Sequence, residues 1–95
     1  MKSGLDLIKE EREKQITKHG FTGEHHANHP EWYNENQLIY AAATLSMKEI
    51  NSCLVPKNWD ANWFINLIKR PYKERLFIAG ALIASELDRL NQLDK

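Results

Sequence analysis

The feature that most constrains this chain is its final stretch, where Leu76, Ala79, Leu82, Ile83, Leu87, Leu90 and Leu93 recur at intervals of three or four after Pro71. Residues three and four apart share one helical face, so the spacing predicts a long amphipathic helix from Pro71 to about Leu93 that must bury that face. Gly80, Ala81 and Ala84 leave its centre almost bare. Glycine in a helix interior costs about 1 kcal/mol relative to alanine, a loss offset when a second helix fills the gap.

A matching surface lies upstream. A helix from roughly Glu35 to Cys53 carries Leu38, Ala42, Leu45 and Ile50 on one side, with Ile39, Ala43 and Met47 beside them and Ala41 to Ala43 as its own small-residue strip. The two strips predict close packing within one subunit, or of the last helix against its mate in a homo-oligomer. Ser3 and Asp6 have the spacing of a capping box for a first helix, Leu5 to Lys18, which Gly20 ends by supplying a left-handed residue. Asp60 caps a short helix, Ala61 to Lys69, with Trp63, Phe64, Leu67 and Ile68 on its face, and Pro71 breaks the chain after Arg70. No strand pattern appears. The expected fold is all-α: three principal helices and one short one in a single domain, 1–95, with a long ordered loop over 20–34.

Composition narrows the function classes. Ninety-five residues carry 13 basic and 13 acidic side chains, so no net field draws the protein to duplex nucleic acid or an anionic membrane. The opening MKSGLDLIKEEREKQ turns charged within a few residues, and no apolar run approaches a membrane span, so a cytoplasmic protein is expected. The single cysteine, Cys53, fits a reducing compartment and is expected as a small core residue.

Four groups of residues have chemistry to offer. The loop GFTGEHHANHPEWYN places His25 and His29 four apart beside Glu24 and His26, a set that suits a metal ion, although hydrogen bonds from some rings to backbone carbonyls, with the rest solvated, explain it more simply. Its aromatic residues Phe21, Trp32 and Tyr33 argue for order, and Pro30 starts a short helical turn. Arg12 and Glu86 each interrupt an apolar helical line, so they are expected to meet each other or to share a ligand. The acids Glu10, Glu11, Glu13, Glu86 and Asp88 approximate the magnesium-binding segments of small helical nucleotide pyrophosphatases, but Lys14 and Arg89 stand where that pattern needs acids. Finally Lys69, Arg70, Lys73 and Arg75 gather at the start of the last helix near Trp59, Trp63 and Tyr72, where a planar base would stack and an anion would meet cations.

The pieces ERE-KQI-KHGFTGEHHANHPEWY, QLIYAAATL, KNWD-NWF and above all AGALIASELDRL resemble a group of short proteins of bacteriophages, prophages and other bacterial mobile elements. The resemblance covers most of the chain; it implies a host context and assigns no catalytic residues. A fainter likeness in the first half, carried by a Gln-Ile, a Gly-aromatic turn, a His-Pro and a following helix, is to the ryanodine-receptor repeat domain, some bacterial versions of which are associated with nucleotide signals.

Binding therefore outranks catalysis, and no serine has the glycine-flanked setting of an esterase elbow. The leading expectation is a module for a small anionic, nucleotide-like ligand, which in a mobile element would counteract a host nucleotide-based defence. Its ligand-binding residues are expected to be Arg12, Trp59, Trp63, Lys69, Arg70, Tyr72, Lys73, Arg75 and Glu86. The competing expectations are a protein–protein module that presents Trp32, Tyr33, Trp59 and Trp63 to a host protein, and a metal-dependent hydrolase built on His25 and His29.

Overall fold

The computed structural model describes all 95 residues. It is all-α: α1 (Gly4–His19), α2 (Gly23–Ala27), α3 (Pro30–Tyr33), α4 (Gln37–Leu45), α5 (Ala61–Ile68) and α6 (Tyr72–Leu93), with no strand. Helix α6 is the spine, and α1, α2 and α4 pack directly against it. The radius of gyration, 12.9 Å, is close to the roughly 12 Å expected of one compact body of this length. No helix is long and apolar enough to cross a membrane.

Local chemistry sets the helix ends. The Ser3 hydroxyl accepts from Asp6 N while the Asp6 carboxylate accepts from Ser3 N, both at 3.1 Å, completing the capping box. Gly20 stops α1 at φ +68°. Thr22 accepts from His25 N to cap α2, and Asp60 accepts from Trp63 N at 2.8 Å to cap α5.

The core joins Leu38, Ala41, Ala42 and Leu45 of α4, Phe64 and Leu67 of α5, and Ile78, Ala79 and Leu82 of α6, with Tyr33 at one edge. Each large side chain buried here contributes about 1.5–3 kcal/mol. The small-residue strips serve two partners. The alanines of α4 and Ala79 share this cluster, whereas Gly80 receives Ile8 of α1 so closely that a Cβ there would lie 2.6 Å from Ile8 Cδ1.

Several expectations are corrected. The second principal helix does not reach Cys53; it ends at Leu45. The Arg75 guanidinium ends it, donating from Nη1 to the carbonyls of Leu45 (3.1 Å) and Met47 (2.5 Å), and from Nη2 to that of Lys48 (3.1 Å). The chain then runs irregularly over the surface to Asp60, which leaves Cys53 exposed instead of in the core. The segment 20–34 is not a simple loop, since α2 and α3 lie within it. On α1 the residues turned inward are Arg12 and Gln15, while Leu5 and Ile16 stay exposed, as do Leu76, Ile83, Leu87, Leu90 and Leu93 of α6.

Candidate ligand-binding cleft

Helix α2 is held by three contacts that converge on the last third of α6. Arg12, buried on α1, donates from Nε (3.0 Å) and Nη2 (2.7 Å) to one carboxylate oxygen of Asp88, and from Nη1 to the Phe21 carbonyl (2.7 Å). Gly23 sits directly on α6, where a Cβ would come within 2.6 Å of the Asp88 carbonyl oxygen. Ser85 lies 3.0 Å from the Gln15 amide, tying α1 to the same stretch. The opposite wall is held by the segment before α5. Trp59 Nε1 donates to the Trp32 carbonyl at 2.7 Å, and Asn58 Nδ2 to that of Glu31 at 2.8 Å. Gln37, buried at the start of α4, donates to the Glu31 and Lys57 carbonyls and so links the two segments.

Between these walls opens a cleft of about 610 Å³. One side comes from His19 and Phe21 at the end of α1 and from His25 and His26 of α2; the other comes from Trp32 and Tyr33 of α3 with Trp59 and Trp63, over a floor of Leu38 and Leu82. The volume lies within the roughly 300–1,000 Å³ of small-molecule sites, and so does the mix of apolar lining with few polar groups. His19, Phe21 and His25 stack in sequence at 28° and 23°, whereas Trp59 and Trp63 lie 5.6 Å apart at 63°, Phe21 and Trp63 6.3 Å apart at 88°, and His26 and Tyr33 4.2 Å apart at 70°. Both faces and edges of aromatic systems therefore line the space, and aromatic pairs favour these edge-to-face geometries.

Two of the wall histidines, His25 and His26, are held toward the neutral form. Burial pushes His26 down to about 4, reinforced by the Arg12 guanidinium and opposed by its bond to the Thr22 carbonyl. That carbonyl, 2.8 Å from Nδ1, can only accept, so Nδ1 carries the proton and Nε2 is left as an acceptor. His25 is also lowered, by burial and by His29. Burial raises the Tyr33 hydroxyl to about 12, so it stays protonated. The fixed charge in the lining is the Asp60 carboxylate, one oxygen of which caps α5.

The anticipated site residues are distributed unevenly. Trp59, Trp63 and His25 line the cleft. His29 stands outside its lining, stacked on Trp32 at 4.4 Å and 13° and bonded to Glu31. No group of three or more His, Cys, Asp or Glu side chains is arranged to hold a metal ion, so His25 and His29 lack the further donors a metal centre needs. The expected meeting of Arg12 with Glu86 does not occur: Arg12 takes Asp88, and Glu86 accepts from Arg89 Nε and Nη2 at 2.5 and 3.0 Å, because Arg89 lies one helical turn away on the same face. Arg75 is buried and spends its donors on backbone carbonyls, including that of Arg70, with Tyr72 beneath its guanidinium at 5.4 Å. Lys69 and Lys73 are exposed.

Arg70 borders a second, smaller groove of about 70 Å³ that shares Gln15, His19, Trp63 and Leu82 with the cleft. Sequence reasoning did not single out His19, Gln15 or Asp60 as site residues, and named His26 only as a neighbour of His25 and His29. The usable signal was the density of rings over 19–33, which a long ordered segment in so short a chain makes conspicuous. Comparison of the chain with protein-family models, curated proteins and solved structures gives no match.

Proposed function

We propose that the protein is a binding module for a planar, nucleotide-like ligand whose ring system enters the cleft between α2 and the Trp59–Trp63 wall. The observation that carries this reading is the convergence of Phe21, Trp32, Tyr33, Trp59 and Trp63 on one open, mostly apolar space. Stacking a base on aromatic rings is worth about 1–3 kcal/mol per base and tolerates many ring types. His26 Nε2 and the Gln15 amide supply the few polar contacts that orient a heterocycle. The resemblance to proteins of phages and mobile elements supports a role in withdrawing a host nucleotide signal. No step of bond making or breaking is part of this reading.

The test is a titration of tryptophan fluorescence with adenosine, guanosine, cytidine and uridine and their 5′-monophosphates, repeated with Trp63→Ala. Saturable quenching is expected for at least one of the bases, weakened tenfold or more in the variant. A flat response to the whole panel overturns the proposal.

A second reading has its own observation: the charge in the lining is the Asp60 carboxylate, which with tryptophan faces suits a cation. A partner protein would then insert a lysine or arginine side chain into the cleft. Saturable binding of an arginine-rich peptide, competed by arginine amide and insensitive to nucleotides, would favour this reading.

A further inference from the structure

We infer that the groove between α1 and α5 is the anion subsite of the same ligand, with Lys14 and Arg70 receiving a monophosphate whose base lies in the aromatic cleft; this rests on the nucleotide-like reading above. Two faces build the groove. Glu11, Lys14 and Gln15 on α1 and Trp63, Leu67 and Arg70 on and just beyond α5 face one another over Ile78 and Leu82 of α6. Along α1 the spacing of Glu11, Lys14, Gln15 and His19 is three, one and four, a single helical face. Trp63, Leu67 and Arg70, spaced four and three, line the other wall.

The groove is continuous with the cleft because Gln15, His19, Trp63 and Leu82 border both. At 1.5 Å per residue, Lys14 lies about 7.5 Å along α1 from His19, and Ile68, where α5 ends two residues before Arg70, lies about 7.5 Å along that helix from Trp63. One sugar-sized spacer covers that interval.

The polarity runs in the right order. The cleft offers neutral rings. Next comes Gln15, which borders both spaces and whose amide oxygen accepts from Ser85, leaving its NH2 group unspent. Glu11 follows, an acceptor for hydroxyl groups of the spacer, and the cations stand beside it. Lys14 forms no ion pair, and Arg70 has only an exposed contact of 3.3 Å with Glu74. Both heads are therefore free to turn toward an incoming phosphate, Arg70 with a planar fork of donors and Lys14 as a point charge. Arg75 takes no part, since its donors are held by carbonyls.

The experiment compares each nucleoside with its own 5′-monophosphate by isothermal titration, on the wild-type chain and on Lys14→Gln/Arg70→Gln. For the base that binds, the monophosphate is expected to bind at least tenfold more tightly than the nucleoside. That ratio should fall to near one in the double variant while nucleoside affinity changes less than twofold, and Lys14→Arg should preserve it. Both side chains are exposed, the Arg70 carbonyl that holds Arg75 is kept, and only the exposed 3.3 Å contact with Glu74 is lost, so the variant is expected to melt within a few degrees of wild type. Nucleoside binding with no gain from phosphate, or a gain that survives in the double variant, overturns the subsite and leaves the cleft reading standing. Failure of nucleoside and nucleotide alike overturns both.

Discussion

Arg12 and Asp88, 76 residues apart, are joined by two hydrogen bonds to one carboxylate oxygen, and the same guanidinium holds the Phe21 carbonyl. One side chain thus fixes the position of α2 relative to both α1 and α6, and the cleft depends on that placement.

Removing it should be costly. The Arg12 side chain is 9 % exposed and that of Asp88 45 %, so the pair is only half desolvated and falls short of the 3–5 kcal/mol cost of breaking a fully buried one. Arg12→Ala is expected to lower stability by about 2–3 kcal/mol, since the Phe21 carbonyl also loses its donor, and Asp88→Asn by about 1 kcal/mol. Urea unfolding with a shared slope is the appropriate measurement; equal stability of Arg12→Ala and wild type contradicts the role.

The two closely packed glycines should respond differently to alanine. At Gly23 the new methyl meets the backbone of Asp88, which cannot move without displacing α6, and a loss of about 2 kcal/mol or more is expected together with weaker quenching of the cleft tryptophans. At Gly80 it meets the side chain of Ile8, Cδ1 at 2.6 Å and Cγ1 at 2.8 Å, which can shift with α1 more readily than backbone can, and the gain of about 1 kcal/mol in helix propensity opposes the crowding. Gly80→Ala is expected to lie within about 1 kcal/mol of wild type. Thermal melts that rank the variants in the reverse order refute the assignment.

Acid should weaken the fold through His26. His26 takes up a proton near pH 4 in the folded protein and near 6.5 when unfolded, so the unfolded state binds more protons between those values. Its stabilising contribution is complete above pH 6.5, declines as pH falls toward 4, and changes no further below. His25 acts in the same direction. Melting temperatures between pH 7.5 and 5 should fall more steeply for wild type than for His26→Gln; parallel curves contradict this.

Arg75 should prove structural. Its guanidinium meets no carboxylate; four carbonyls at the ends of α4 and α5 hold its charge, where helix dipoles also favour a cation. Arg75→Ala is expected to cost about 3 kcal/mol and Arg75→Lys less, because an ammonium reaches fewer of those carbonyls. Nucleotide affinity of the folded Arg75→Lys protein should match wild type. Selective loss of binding with unchanged stability would place Arg75 in the ligand site instead.

Legibility followed the range of the interactions. The capping box at Ser3, the stop at Gly20, the cap at Asp60, the turn at Pro30 and the length of α6 are set by neighbours within one helical turn, and all of them could be read from spacing. The end of α4 could not, because the group that terminates it comes from Arg75, 30 residues beyond Leu45. The same holds for Arg12. Its inward position follows from periodicity, but the choice of Asp88 over Glu86 depends on which turn of α6 faces α1. Trp59 and Trp63 were legible as candidates, whereas His19 and His26 became wall residues only once α2 was docked on Asp88.

Helix α6 is translated after every element that leans on it. At about 5–20 residues per second, Asp88 follows Arg12 out of the ribosome by about 4–15 s, during which α1, α2 and α4 have nothing to dock on. The rings of α3 and α5 are therefore synthesised before the helix on which the structure is assembled, and Arg12 waits for its carboxylate partner throughout that interval.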